Sequence, residues 1–262
     1  MSNELEADVP TTLAKVTVCG GRNGKNRTIF SSCFTLSNGK WAQLPKTYSL
    51  NTKRIYAASV KLNNQWWVTG GGVGGEYKAT DSTELRNSSG QWNYHTKLPK
   101  PLFGHCMVNI DKDTVFLTGG ETHQLTKLKS TYQYNEKLGW KNLRDMPTPR
   151  LFHSCALLED KNTIIVAGGF NKTGMLQSSD LYSIKDNTWS AGPELASGPQ
   201  NGAVMLTLGG TTYQFGGHPP ATRILRLDKD NEGKLKWSDA GRLTSSKWFF
   251  PAVPIQLSPE TC

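Results

Sequence analysis

The sequence predicts an all-β ring built from five copies of one four-stranded sheet, and three observations carry that prediction. Glycine pairs stand at 20/21, 70/71, 119/120, 168/169 and 216/217, so successive pairs lie 50, 49, 49 and 48 residues apart. Tryptophans stand at 41, 92, 140, 189 and 237, each 21 or 22 residues beyond the first glycine of its pair. Short runs rich in β-formers, such as Trp66-Trp67-Val68, Val115-Phe116-Leu117 and Ile164-Ile165-Val166, precede the glycines. Together they make a tandem repeat of about fifty residues.

Each run reads as a strand buried on both faces. The glycine pair permits positive φ and close backbone approach where the chain leaves the sheet. Segments around Thr83-Glu84-Leu85, Tyr132-Gln133-Tyr134 and Asp180-Leu181-Tyr182 alternate apolar and polar residues, as half-buried strands do. Each Trp then supplies an apolar wedge for an outer strand. One such sheet cannot bury both its faces, but sheets stacked as blades around an axis can.

Taken in order, residues 1–12 read as a solvated tail, 13–257 as a single propeller and 258–262 as a second tail. Blade 1 (13–46) begins at its second strand, Lys15 to Gly21, with no first strand before it. Blades follow near 54–99, 101–147, 150–195 and 200–243, the last the most divergent. The segment from Lys247 to Ile255 repeats the pattern of Arg54 to Leu62. Residues 247–257 are therefore expected to supply the missing strand of blade 1 and close the ring, which removes open sheet edges. The innermost strands carry small residues, as at Ala57-Ala58-Ser59 and Ser154-Cys155-Ala156, where blades converge.

The double glycine, the spaced aromatic and the Trp of each unit resemble the kelch family of β-propellers. The resemblance covers 13–257, with five blades rather than the six or seven common in that family. It implies the fold. It does not imply one activity, since kelch propellers serve many unrelated tasks.

The formal net charge is +9, but Lys and Arg are scattered through every repeat, with no block of five and no nucleic-acid motif. No nucleic-acid partner is expected, and no apolar run approaches the length of a membrane span. The start, MSNELEADVP, lacks the apolar stretch of a secretory signal, which points to the cytoplasm. Cysteine placement and three sequons, at Asn26-Arg27-Thr28, Asn87-Ser88-Ser89 and Asn171-Lys172-Thr173, lean outward.

Cys19 and Cys33 flank one loop of blade 1 and are disulfide candidates. Cys106 and Cys155 form a weaker candidate pair. Aligned at one repeat position in adjacent blades, they should not meet unless both face the axis. His105 and His153 lie on innermost strands but align one position apart, so they are expected on opposite faces. No carboxylate accompanies them, and the Tyr/His ligand set of copper-oxidase relatives cannot be assembled. Asp111, Asp113, Glu159 and Asp160 read as turn formers, not as a glycosidase pair. Gly70 to Gly75 lacks the Gly-Lys-Ser/Thr and helix of a phosphate loop. No catalytic residue, metal or cofactor is expected.

What remains is one rim. Arg54-Ile55-Tyr56, Pro101-Leu102-Phe103, Arg150-Leu151-Phe152 and Lys247-Trp248-Phe249 each place an aromatic two residues after a base or proline. Arg22, Glu121, Phe170 and His218 sit just past glycine pairs, on the same face. In ligand-binding kelch propellers these two loop sets form the partner face. The expected site is therefore Arg22, Arg54, Tyr56, Phe103, Glu121, Arg150, Phe152, Phe170, His218, Lys247 and Phe249. The expected protein is a monomeric, non-catalytic module for a protein or peptide, plausibly acidic. The alternative is a secreted carbohydrate-binding, galactose-oxidase-like or glycosidase-like propeller using the channel mouth. The competing reading of the aromatics is packing between blades.

Overall fold

Blade 3 shows how the repeat folds. Its strands are Cys106–Asn109, Thr114–Thr118, Thr131–Asn135 and Gly139–Asn142, joined as an antiparallel meander. Val115, Phe116 and Leu117 are all fully buried because blades cover both faces of the sheet. Val115 and Leu117 pack toward blade 2 with Trp67 and Leu62, whereas Phe116 packs toward blade 4 with Tyr182 and Ile164. The period of two thus fills two interfaces from one strand.

The computed structural model describes residues 17–22, 27–37, 40–123, 126–218 and 222–244. Within them lie seven antiparallel sheets: five blades, four of four strands and one of three, and two two-stranded ribbons, Gly72–Val73 with Lys78–Ala79 and Phe170–Asn171 with Gly174–Met175. Blades 2, 4 and 5 have the same strand order as blade 3, with innermost strands Ala58–Leu62, Ser154–Leu157 and Asn201–Leu208. Blade 1 is the three-stranded sheet, Thr17–Cys19, Cys33–Ser37 and Lys40–Gln43. The closing segment 247–257, with Lys247 and Phe249, and the tails 1–12 and 258–262 lie outside the described residues.

The tryptophans do more than wedge. The indole N–H of Trp92 donates to Tyr48 O (3.1 Å), that of Trp140 to Lys97 O (2.8 Å) and that of Trp189 to Arg144 O (2.7 Å). Each outer strand is thereby stitched to the unit before it.

Strand register corrects two expectations. Ala58 pairs with Thr69, Cys106 with Thr118 and Ser154 with Ala167, in each case the residue before the glycine pair. Cys106 is therefore equivalent to Ser154, not to Cys155. One residue of offset turns the two cysteines to opposite faces of their own blades, and those faces meet across the blade 3–blade 4 interface. The structure joins them in a disulfide, with Cα atoms 6.1 Å apart. Equivalent positions in adjacent blades do not meet, and Cys106 and Cys155 meet because they are not equivalent. By the chain-entropy account, a loop of this length closed in the unfolded state is worth about 4 kcal/mol. Cys19 and Cys33 stand directly opposite one another and are also joined.

The same offset makes His105 and His153 equivalent, not one position apart. Each has its Cβ against the second glycine of its own blade and its ring against the first glycine of the preceding one.

Candidate binding face

The double glycine builds this face. A Cβ on Gly119 would come 2.6 Å from Arg150 O, in the segment leading into blade 4, and one on Gly120 would come 2.9 Å from Phe103 O. Only glycine admits both approaches, and both residues hold positive φ (66° and 91°). The loop past the glycines is thus pinned beside the lead-in of its own blade. Ile55 bridges Gly72, Phe103 bridges Glu121 and Leu151 bridges Phe170.

In the described lead-ins, those of blades 2 to 5, one position links each blade to the next. Gly104 N–H donates to Tyr56 O, Phe152 N–H to Gly104 O and Gly202 N–H to Phe152 O, each at 2.9 Å. All four residues hold left-handed backbone, with φ of 58°, 62°, 57° and 67° in chain order. Tyr56 and Phe152 accept that strain where the other two blades use glycine.

The aromatic rings collect around this line. Tyr56 lies 4.8 Å from Phe152 and 6.3 Å from Phe103, Phe103 lies 6.2 Å from Phe152, and Phe170 lies 6.0 Å from Phe152. All four are half-buried. Of the three in lead-ins, Tyr56 and Phe152 share a position with Gly104 and Phe103 stands one earlier, so they come from two repeat positions, not one; Phe170 comes from the loop past the glycine pair. The missing side chain at Gly104 leaves room for the Phe152 ring, which comes within 2.6 Å of where a Cβ would be.

Arg54 and Arg150 are not on the rim, which corrects that expectation. They are 1% and 0% exposed. Arg54 Nη2 donates to Glu84 Oε1 (2.7 Å), and its Nη1 donates to Gly70 O and Ser82 O. Arg150 repeats the arrangement with Asp180 Oδ2 (2.7 Å), Gly168 O and Ser178 O. The guanidinium fork ties three strand ends of its own blade together. Burial lowers the Arg54 pKa, with Glu84 opposing.

Of the remaining rim residues, Arg22 is exposed and donates to the Tyr77 hydroxyl (2.9 Å). That bond, and after it the charge of Tyr56, holds its pKa up. Glu121 is 3% exposed and pairs with Lys127 (2.9 Å), whose ammonium also stands 5.3 Å from the Phe170 ring centroid. His218 is exposed at the end of strand Thr211–His218.

His105 and His153 lie deeper, 6% and 5% exposed. His105 Nε2 shares a hydrogen bond with the Thr69 hydroxyl (2.9 Å). Burial first, and then the Arg54 guanidinium, pushes its pKa down to about 3. Burial, Arg150 and His105 push His153 down to about 3 as well. The folded chain therefore keeps both rings neutral, while the unfolded chain protonates them below 6.5. The unfolded state then holds more protons, so stability falls as pH drops from 6.5 toward 3. Urea midpoints between roughly pH 6.5 and 5, above the ordinary carboxylate range, should fall in the native chain. They should be nearly level in a His105→Gln/His153→Gln variant. Equal slopes would remove the histidines as the cause.

No protein-family model matches the chain. It is 31% identical over 178 residues to Kelch-like protein 40 of Mus musculus, covering 64% of this chain and 28% of that protein. It is 27% identical over 231 residues to Kelch-like protein 36 of Bos taurus, covering 82% of this chain and 36% of that protein. Among solved structures, YjhT superposes with a TM-score of 0.70 at 16% identity, covering 86% of this chain and 81% of that one. The chain has a β-propeller fold and is similar in sequence to Kelch-like proteins. It spans about a quarter to a third of the length of the curated relatives it matches.

The sequence places Arg54 and Arg150 on the rim and does not reveal the buried Arg–carboxylate forks that they form. A signal was present: Arg54 and Arg150 each precede their acid by 30 residues, at Glu84 and Asp180. It also missed the left-handed position, which Gly104 and Gly202 mark.

Proposed function

We propose that the chain is a protein-binding module that captures a partner on the face carrying Tyr56, Phe103, Phe152 and Phe170. The observation that supports this is the contact cluster of four half-exposed aromatic rings, drawn from three blades around one axis. Aromatic residues with Arg carry much of the energy at protein interfaces. Tyr56 and Phe152 keep bulky rings where the backbone favours glycine, a cost of the kind found at functional sites.

With Arg54 and Arg150 buried and paired, positive charge among the described residues comes near these rings from Arg22, beside Tyr77, and Lys127, beside Phe170. An acidic segment of the partner is the finer part of the reading, and it makes affinity fall as salt rises.

The test exploits the backbone. Tyr56→Gly/Phe152→Gly removes two rings and leaves a residue suited to positive φ, as Gly104 already is. A partner crosslinked to the native propeller should lose at least tenfold in affinity for the variant, with unchanged circular dichroism. Unchanged affinity in a folded variant would place the site elsewhere. A flat salt response would remove the acidic partner while leaving the aromatic face.

A further inference from the structure

The outer edge of blade 2 carries a motif that the rim does not use. The hairpin between strands Thr83–Arg86 and Trp92–Tyr94 holds the sequon Asn87-Ser88-Ser89. Its local geometry is that of an acceptor. The Ser89 hydroxyl donates to Asn87 Oδ1 (2.8 Å), and so does Gln91 N–H (2.8 Å). Both bonds draw on the carbonyl end of the amide, and no hydrogen bond among the described residues engages Nδ2.

The sequon also lines a cleft of about 590 Å³, whose other wall includes Tyr48, Asn64, Trp66 and Arg86. Tyr48 and Trp66 are half-buried, each presenting part of an aromatic face. Tyr48 lies against Gly90, whose absent Cβ would stand 3.0 Å from the ring. Arg86 Nε donates to Gly90 O (3.0 Å), which fixes the hairpin beside the rings. Aromatic faces for the apolar side of a pyranose, with amides and a guanidinium for its hydroxyls, are the donor set a sugar needs.

A third observation is independent of the cleft. Four of the five cysteines are joined in two disulfides, which suits the oxidising compartments in which sequons are used.

We propose that Asn87 carries an N-linked glycan and that its first sugars lie in the Tyr48–Trp66 cleft. In the transfer, Asn87 Nδ2 bonds to the anomeric carbon of an oligosaccharide linked to a lipid pyrophosphate. The anomeric C–O bond breaks, the lipid pyrophosphate leaves with the electron pair, and the amide gives up one proton. No oxidant or reductant is consumed.

The test uses the full chain secreted from eukaryotic cells and treated with peptide-N-glycosidase in heavy-oxygen water. Asn87 should be recovered as labelled aspartate, and Ser89→Ala should abolish the label. An unlabelled Asn87 in the native chain overturns the proposal. The second arm tests the cleft. Release from the folded native chain should be at least tenfold slower than from Trp66→Ala, while both release equally fast after denaturation. Asn171, whose Thr173 hydroxyl makes the same bond to its Oδ1 (2.6 Å), serves as the internal comparison if it is also occupied. Equal release of the Asn87 glycan from both folded proteins overturns its seating in the cleft.

Discussion

Replacing Arg54 and Arg150 together with alanine is expected to cost about 6–10 kcal/mol of folding stability. Removing one partner of a buried ion pair leaves an uncompensated charge, at about 3–5 kcal/mol each. The two forks lie in different blades and share no partner, so their costs should add. Glu84 would keep the amides of Asn51 and Thr52, whereas among the described residues only Arg150 holds the Asp180 carboxylate. Arg150→Ala should therefore be the worse of the two single changes. Blade 3 supplies the control. There the equivalent positions are Leu102 and Tyr132, both buried, with no charge at either. Arg150→Leu combined with Asp180→Tyr should accordingly regain much of what Arg150→Ala loses. Urea unfolding of the three variants checks the order. A double alanine variant melting near the native temperature would show that these side chains do not hold the blades.

Deleting residues 247–262 is the second large effect expected. Among the described residues, blade 1 has three strands where every other blade has four. The repeat pattern of Lys247 to Ile255 matches the missing one. At about 25 cal/mol per Å² of apolar surface, leaving roughly 400 Å² uncovered costs about 10 kcal/mol. That is comparable with the whole ~5–15 kcal/mol stability of a domain. The shortened chain should be insoluble or lack a cooperative transition. A cooperative melt near the full-length temperature would mean that this segment does not complete the blade.

The blades were legible in the sequence because their signals are local. A glycine pair is demanded by backbone approach within a few ångströms, and a Trp by one outer wedge per unit. Register was not legible, for a physical reason. The first hairpin of each blade differs in length: Ala58 to Thr69, Cys106 to Thr118 and Ser154 to Ala167 span 11, 12 and 13 steps. Counting back from the glycines therefore slips by one residue, and one residue exchanges the faces of a strand. Innermost strands rich in small residues carry no alternation to reveal the slip. Burial of Arg54 and Arg150 was hidden likewise, since their acids lie two strands away and no local pattern links them.

The hydrogen bonds running from Tyr56 through Gly104 and Phe152 to Gly202 have a mechanical consequence. They act as an arc across blades 2 to 5, so neither blade 3 nor blade 4 can tilt outward without stretching the bonds on either side. A guest at the proposed aromatic face would meet a mouth whose lip is fixed along this arc, and accommodation would come from rotation of Tyr56, Phe103, Phe152 and Phe170. Selectivity at such a mouth is a matter of gauge: a guest is sorted by whether its widest group passes between rings that can swivel but cannot retreat.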